Sequence, residues 1–409
     1  MSAPRVAFFT DSFHEINGVA LTSREFVSYA RRRSLPFFLV RGGTRTRCET
    51  EGTVSSLEFE RGRMSVEMDR GLHFDPFFLR HLKYVQPRLA GFRPDLVHIT
   101  SPGDAGILGA LLAHRLRVPL VASWHTNLHE FAARRSETAL APLGRGLARR
   151  VASRVESLCW KALVRFYRLG RVLLAPNQEL IDLLHAGTGR PVFLMRRGVD
   201  TELFHPSRRD RANGPFTIGF VGRVTPEKNV RFFFRLEEAL RAAGRSGYRL
   251  LIVGDGSERR WLAENLPNAE LPGVLRGEAL ARAYANMDLF VFPSETDTFG
   301  NVVQEALASG VPAVVTAGGG PKYLVESGST GYVAHGERAL TRCVLEAMAN
   351  PEQLEAMKAK ARLWASQQSW DAVFERVYAA YAYCLNSGAA ESSTGAPNAM
   401  RQGVLEPTA

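Results

Sequence analysis

Ser294-Glu295-Thr296-Asp297-Thr298-Phe299-Gly300-Asn301-Val302-Val303-Gln304-Glu305-Ala306 is the stretch that decides the fold of this 409-residue chain. The apolar run before it, Leu289 to Pro293, reads as a buried strand, and Val302 to Ser309 reads as the helix that follows. Asp297 and the amides of Gly300 and Asn301 therefore fall at the C-terminal end of a strand and the N-terminal end of a helix. Open α/β sheets bind ligands at that junction, because unpaired N–H groups and the positive end of the helix dipole face a crevice there. Glu305 lies about one turn into the helix, within reach of vicinal hydroxyls such as those of a ribose. Such a segment suits a polar, hydroxyl-rich, anionic ligand.

Three other loops share this placement. In Gly219-Phe220-Val221-Gly222-Arg223-Val224-Thr225-Pro226-Glu227-Lys228-Asn229, Arg223 ends a strand and Lys228 precedes a helix. Two such cations can converge on a diphosphate, the guanidinium taking two oxygens at once; solvated surface cations are the plain alternative. The loop from Thr10 to Ala20 also leaves a strand and opens a helix, and Gly18 at that junction lets backbone approach a phosphate. His125, in Val121-Ala122-Ser123-Trp124-His125-Thr126-Asn127, lies just past a further strand; taken alone, it reads as a hydrogen-bonded core residue.

Strand-like runs at Val6 to Thr10, Phe37 to Val40, Leu96 to Thr100, Leu120 to Ser123 and Val172 to Ala175 alternate with helical patterns such as Ala105 to Arg115 and Leu143 to Leu169. A polar, linker-like stretch, Pro206 to Gly214, is followed by a second series: Phe216 to Val221, Arg249 to Val253, Asp288 to Phe292, Ala313 to Thr316 and Gly331 to Ala334. Alternation of this kind implies an α/β fold of two parallel sheets, each with helices on both faces. The expected domains are residues 1–205 and 215–367, with 368–386 as a last helix packing back across them and 387–409 as a disordered tail. No Gly-x-Gly-x-x-Gly occurs: Gly254-Asp255-Gly256 stops short and Gly318-Gly319-Gly320 lacks the rest, which argues against a nicotinamide site.

Cys48, Cys159, Cys343 and Cys384 are scattered and suggest neither a disulfide framework nor a zinc site. The N-terminus lacks a signal-peptide core, and no apolar run nears the roughly 18 residues that a membrane span needs. A cytoplasmic protein, peripheral at most to the inner face of a membrane, is expected. The net charge of +11 is lopsided: residues 1–200 hold 30 Lys/Arg against 18 Asp/Glu, so an anionic partner of the first half is implied.

Together these loops resemble glycosyltransferase family 4, the retaining enzymes of GT-B architecture, from Arg5 to about Leu385. The resemblance is carried by Asn17-Gly18, Ser123-Trp124-His125-Thr126-Asn127, Arg197-Gly198-Val199-Asp200, Gly222-Arg223 with Lys228, Val253-Gly254-Asp255-Gly256 and the acidic-x7-Glu segment. The run Thr296 to Val303 is similar to the branch of sulfoquinovosyl-diacylglycerol synthases and glycolipid mannosyltransferases.

The resemblance implies two Rossmann-like, doubly wound domains facing a cleft, with a nucleotide-sugar donor in the second and the acceptor, a lipid or a carbohydrate, on the first. It implies that Gly18, Arg223 and Lys228 hold the diphosphate, that Phe299, Gly300, Asn301 and Val302 line the donor, that Glu305 takes the ribose, and that Asp297 and His125 sit by the transferred sugar. Many relatives carry Glu where this chain has Asp297. No Asp-x-Asp is present, so no metal or other cofactor is expected. A silent nucleotide-sugar-binding protein is the alternative of another class.

Residues 131–171 carry ten Lys/Arg and two Asp/Glu. On a helix Arg150, Arg154, Lys161, Arg165 and Arg168 share one side, next to an apolar stripe of Val151, Val155, Leu158, Ala162, Phe166 and Leu169. Either the stripe is core and the cations are solvated, or the basic side rests on anionic lipid. Nucleic acid is not expected as a partner, since no recognition motif or aromatic platform accompanies the charge.

Overall fold

Val6-Ala7-Phe8-Phe9-Thr10 is buried along its whole length, as a strand covered on both faces must be, and it forms β1 (Val6–Thr10), the middle of the first sheet. The computed structural model describes residues 3–393 apart from 16, 63, 70–71, 126–131, 133–134, 138–139, 141–143, 212–213 and 298. The first half continues with β2 (Phe37–Gly43), β3 (Arg47–Glu51), β4 (Val54–Glu60), a hairpin of β5 (Val66–Asp69) and β6 (Leu72–Phe74), β7 (Leu96–Ile99), β8 (Leu120–Ser123), β9 (Val172–Ala175) and β10 (Val192–Leu194). Between them run α1 (Gly18–Arg32), α2 (Leu82–Phe92), α3 (Asp104–Leu116), α4 (Arg145–Tyr167) and α5 (Gln178–Thr188). The eight-stranded order is β10-β9-β8-β7-β1-β2-β4-β3, parallel except for β3.

The second half holds β11 (Phe216–Val221), β12 (Tyr248–Val253), β13 (Glu270–Gly273), β14 (Leu289–Phe292), β15 (Ala313–Thr316) and β16 (Gly331–Ala334), all parallel, in the order β13-β12-β11-β14-β15-β16. Its helices are α6 (Phe232–Ala242), α7 (Arg259–Asn265), α8 (Gly277–Ala285), α9 (Asn301–Ala308), α10 (Glu337–Ala349), α11 (Pro351–Ser366) and α12 (Trp370–Ser393).

Each sheet reverses its strand order once, between β1 and β7 in the first and between β11 and β14 in the second. Those reversals are where a crevice opens beyond the strand ends. The loops carrying Gly18, Arg223, Lys228 and Asp297 all leave strands that border one of them.

Two stretches cross between the halves side by side: the Val199 amide donates to the Gln368 carbonyl at 3.0 Å. The chain then returns as α12, whose Phe374 stacks on Phe26 of α1 with ring centroids 4.4 Å apart, while the Tyr381 hydroxyl meets His98 Nδ1 at 2.6 Å. α12 thus completes one face of the first sheet's core.

The polar stretch after Pro206 is held against the second half, where Arg209 donates to the Met287 carbonyl at 3.2 Å and to Asp288 Oδ1 at 2.9 Å. One expectation needs correction here. The last helix continues to Ser393, into the segment expected to be disordered, because Ala389-Ala390-Glu391 favours helix; residues 394–409 lie outside the described residues.

Candidate functional site

In the second half the site is built from the ends of β11 and β14. After β11, Pro226 starts a short 3-10 turn, and Asn229 adopts a left-handed conformation that turns the chain toward α6. Lys228 is thereby aimed across the reversal, and its Nζ donates to both carboxylate oxygens of Asp297, at 2.6 and 2.7 Å. Both side chains are largely buried. Arg223, on the same loop, stays 60% exposed and lies 3.4 Å from Glu227. The triple glycine after β15 has a structural use here, since the Gly320 amide donates to the Asp297 carbonyl at 2.6 Å. A Cβ on Gly319 would sit 2.7 Å from that same oxygen. Gly300, with φ of 95°, ends the loop and caps α9, whose first amides face the crevice.

Glu305 lies on α9 and accepts the Tyr284 hydroxyl at 2.8 Å. Burial raises its carboxyl to about 7, with the tyrosine's hydrogen bond pulling the other way. Phe299 is buried and Val302 half-buried, so these two shape the loop while their backbone lines it.

In the first half, Asn17 caps α1 through its side chain, which accepts the Ala20 amide at 2.9 Å, and Gly18 begins the helix. His125 follows β8, 8% exposed; burial, with Arg197 as the second cause, holds its imidazole down at about 3, so it is neutral in the working pH range. Thr126 and Asn127 lie outside the described residues.

Arg197 ties these pieces together, and the sequence reading gave it no role of its own. It lies on the crossover between the halves, its carbonyl held by Gln304 Nε2 at 3.0 Å and its Nη1 donating to Asn301 Oδ1 at 3.2 Å. Its guanidinium is 5.6 Å from the centre of the Phe299 ring and packs on Gly18 so closely that any side chain there would collide with it. A side chain at position 18 would therefore displace the end of Arg197 from this place. The only local signal for Arg197 was its place in Arg-Gly-Val-Asp just after β10.

Gly18, His125, Arg197, Lys228, Asp297 and Asn301 are therefore gathered in one cluster between the two sheets. Residues 16–203 match the family described as Glycosyltransferase Family 4, and residues 215–350 match Glycosyl transferases group 1. A D-inositol 3-phosphate glycosyltransferase of Catenulispora acidiphila is 30% identical over 324 residues, covering 71% of this chain and 75% of that protein.

The chain belongs to glycosyltransferase family 4.

A GDP-mannose-dependent alpha-mannosyltransferase of Corynebacterium glutamicum is 36% identical over 251 residues, 59% of this chain; the chain spans 56% of that relative's length. Sucrose-phosphate synthase of Thermosynechococcus elongatus superposes with a TM-score of 0.67 over 93% of this chain and 99% of its own, at 17% identity, and the fold is GT-B.

In this family 4 protein the cationic helix is α4. Arg150, Arg154, Lys161, Arg165 and Arg168, at its end, are all exposed. The apolar stripe is corrected. Leu158 and Leu169 are 65% and 62% exposed, whereas Ala152, Leu163 and Tyr167 are buried. At 100° per residue Leu158 and Leu169 both fall just beside the arc of cations, so the outer face sets leucines next to positive charge while Ala152, Leu163 and Tyr167 supply core contact. The foot of this face continues into a groove of about 840 Å³, floored by Ile107, Leu111 and Phe166 and edged by Arg117, Arg171 and Arg190. Among the described residues no helix is long and apolar enough to cross a membrane.

Proposed function

We propose that this protein transfers a sugar, with retention of anomeric configuration, from a nucleoside diphosphate to a hydroxyl of a membrane lipid. The observation that carries the reading is this cluster, where Arg197 of the crossover, Lys228 and Asp297 of the second half and the neutral His125 of the first come together beside two strand reversals. Lys228 and Arg223 suit the diphosphate, Glu305 the ribose, and Asp297 and His125 the sugar hydroxyls. In the reaction the bond from the anomeric carbon to the β-phosphate oxygen breaks and its electron pair stays on the phosphate. The acceptor oxygen bonds to the same face of the carbon and its proton passes to the departing phosphate. Fixed positive charge in a closed crevice stabilises that departure. The mannosyltransferase relatives make GDP-mannose the first donor to try.

The lipid acceptor is supported by α4, whose exposed leucines and cations match an interfacial helix: apolar side chains enter the headgroup region and each cation near anionic lipid adds about 1 kcal/mol. A soluble phosphorylated acceptor is the second reading. It is favoured by the relative named for D-inositol 3-phosphate and by the same positive charge on the first half.

Thermal-shift measurements with GDP, UDP, ADP and their sugars test the donor, since a ligand of the native state raises its melting temperature. Transfer assays with lipid vesicles and with inositol phosphate then separate the acceptors. No shift with any nucleotide, together with no donor hydrolysis, would overturn the reading.

A further inference from the structure

We infer that Arg197 is a third cation of the leaving-group site, one that binds the β-phosphate of the nucleoside diphosphate between the start of α1 at Gly18 and the start of α9 at Asn301. The inference rests on the donor-site reading above and adds to it a residue that reaches the phosphate from the crossover rather than from the donor domain.

The argument begins with pairing. Of the cations around the crevice, Lys228 is engaged by both oxygens of Asp297 and Arg223 stands 3.4 Å from Glu227. Arg197 has no carboxylate within ion-pair distance among the described residues. Its Nη1 finds one protein acceptor, the neutral amide oxygen of Asn301 at 3.2 Å. A guanidinium carries five N–H donors in a rigid fork, and one neutral acceptor leaves most of that capacity unused, while Asp297 acts on its charge from beyond ion-pair distance and is itself held by Lys228. Removing a cation from water without a partner is unfavourable unless another anion completes the site. Burial lowers the group only to about 10, so it is protonated at any working pH.

Position narrows the anion. The guanidinium lies against Gly18, where the first turn of α1 begins, and against Asn301, where α9 begins. Two helix starts and a guanidinium therefore converge from three directions, and the helix starts add unpaired N–H donors. His125 and Asp297 both sense the arginine's charge, so it stands beside the groups assigned to the sugar. A phosphate at the boundary between sugar and nucleotide is the β-phosphate. The α-phosphate and ribose fall farther along α9, toward Glu305.

Arg197 is also held to this spot. Gln304 fixes its carbonyl and Asn301 its fork, both from α9, while Gly198 leaves no room for a side chain against Trp370. The donor half thus carries Arg197 with it, although the residue lies on the crossover. Gly18 is its contact on the opposite half, so a phosphate held by Arg197 beside Gly18 would link the two halves once the donor is bound.

The test compares nucleoside diphosphates with monophosphates by titration calorimetry, using GDP against GMP and UDP against UMP, on wild type, Arg197→Gln and Arg197→Lys. A β-phosphate ligand is lost only for the diphosphate. Arg197→Gln should weaken GDP or UDP at least tenfold and leave the monophosphate within about twofold. Arg197→Lys, a point charge without the fork, should lose less. An unchanged preference for diphosphate over monophosphate in Arg197→Lys, and in Arg197→Gln where it folds, removes Arg197 from the leaving-group site while the donor-site reading stands. Wild-type protein that binds neither GDP nor UDP removes that reading and this inference together.

Discussion

Lys228 and Asp297, 69 positions apart in the chain, meet as a two-pronged ion pair at 2.6 and 2.7 Å. Pairing of β11 with β14 brings their C-terminal loops together, so the contact follows from sheet order. It also means that the lysine offered to a diphosphate is already neutralised. A donor must either share Lys228 with Asp297 or draw the carboxylate onto its own sugar hydroxyls.

That sharing predicts opposite effects on binding and turnover. Asp297→Asn keeps the shape but removes the competing negative charge, so nucleoside diphosphate should bind as tightly as in wild type or up to about tenfold more tightly. Transfer should fall by about a hundredfold or more, because the sugar loses a charged hydrogen-bond acceptor. Calorimetry with GDP or UDP beside a transfer assay reads both. Weaker diphosphate binding in this variant would show that Asp297 does not compete for Lys228.

Glu305 gives a prediction in pH. Its folded-state carboxyl is raised to about 7 by burial, above its ordinary value of 4.5. The folded protein therefore holds a proton that the unfolded chain releases, and stability from this group is present below pH 4.5 and lost as pH rises through 7. Glu305→Gln keeps an oxygen for the Tyr284 hydroxyl and removes the buried charge. At pH 8 it should be more stable than wild type by on the order of 1–3 kcal/mol in denaturant melts, with the gap closing by pH 5. The same variant should bind nucleotide more weakly, since an amide cannot accept from both ribose hydroxyls. Equal stability at both pH values would show that burial does not raise the Glu305 carboxyl.

The sequence reading placed the buried strands well and the edges poorly. Leu120–Ser123, Val172–Ala175, Phe216–Val221 and Ala313–Thr316 are continuous apolar runs with one possible fate, and they lie where the runs predicted. Glu270-Leu271-Pro272-Gly273 is an edge strand, where proline and glycine are tolerated and no period shows. Val54–Glu60 was hidden because Ser55, Ser56 and Glu58 interrupt the apolar pattern; Glu58 is buried by pairing with Arg41 at 2.7 Å. Arg197 was given no role for a similar reason: its place in Arg-Gly-Val-Asp is a weak signal, and its contacts with Gly18 and Asn301 come from more than a hundred positions away on either side. On α4 the reading chose the wrong apolar face, because Leu158 and Leu169 were weighed as core ahead of the smaller Ala152.

Metal dependence is a further prediction. The chain has no Asp-x-Asp, and on the proposed reading Arg223 and Lys228 would supply positive charge where a divalent ion would otherwise act. Transfer should persist after exhaustive EDTA treatment, with added Mg²⁺ or Mn²⁺ changing the rate by no more than about twofold. Loss of activity on chelation and recovery with either ion would mean that the cationic loop does not neutralise the diphosphate alone.

The exposed leucines of α4 make the membrane reading sharper than charge alone. Leu158 is 65% exposed and touches little of the core, so Leu158→Ser should leave the melting temperature within a degree or two. If the helix lies in a bilayer surface, that leucine enters the headgroup region, and burying it contributes about 1.5–3 kcal/mol. Leu158→Ser should then cut binding to anionic vesicles by about tenfold or more. The triple variant Arg154→Glu, Lys161→Glu, Arg165→Glu should remove the electrostatic part, which screening over about 8 Å at physiological salt already limits. Wild type should sediment with vesicles containing phosphatidylserine or phosphatidylglycerol, and salt should release most of it while the leucine contribution survives. Neither variant should alter nucleotide binding, which the proposed site places away from α4. Wild type that ignores anionic vesicles at low salt would leave α4 as a solvated face, and the soluble phosphorylated acceptor would take the lipid's place.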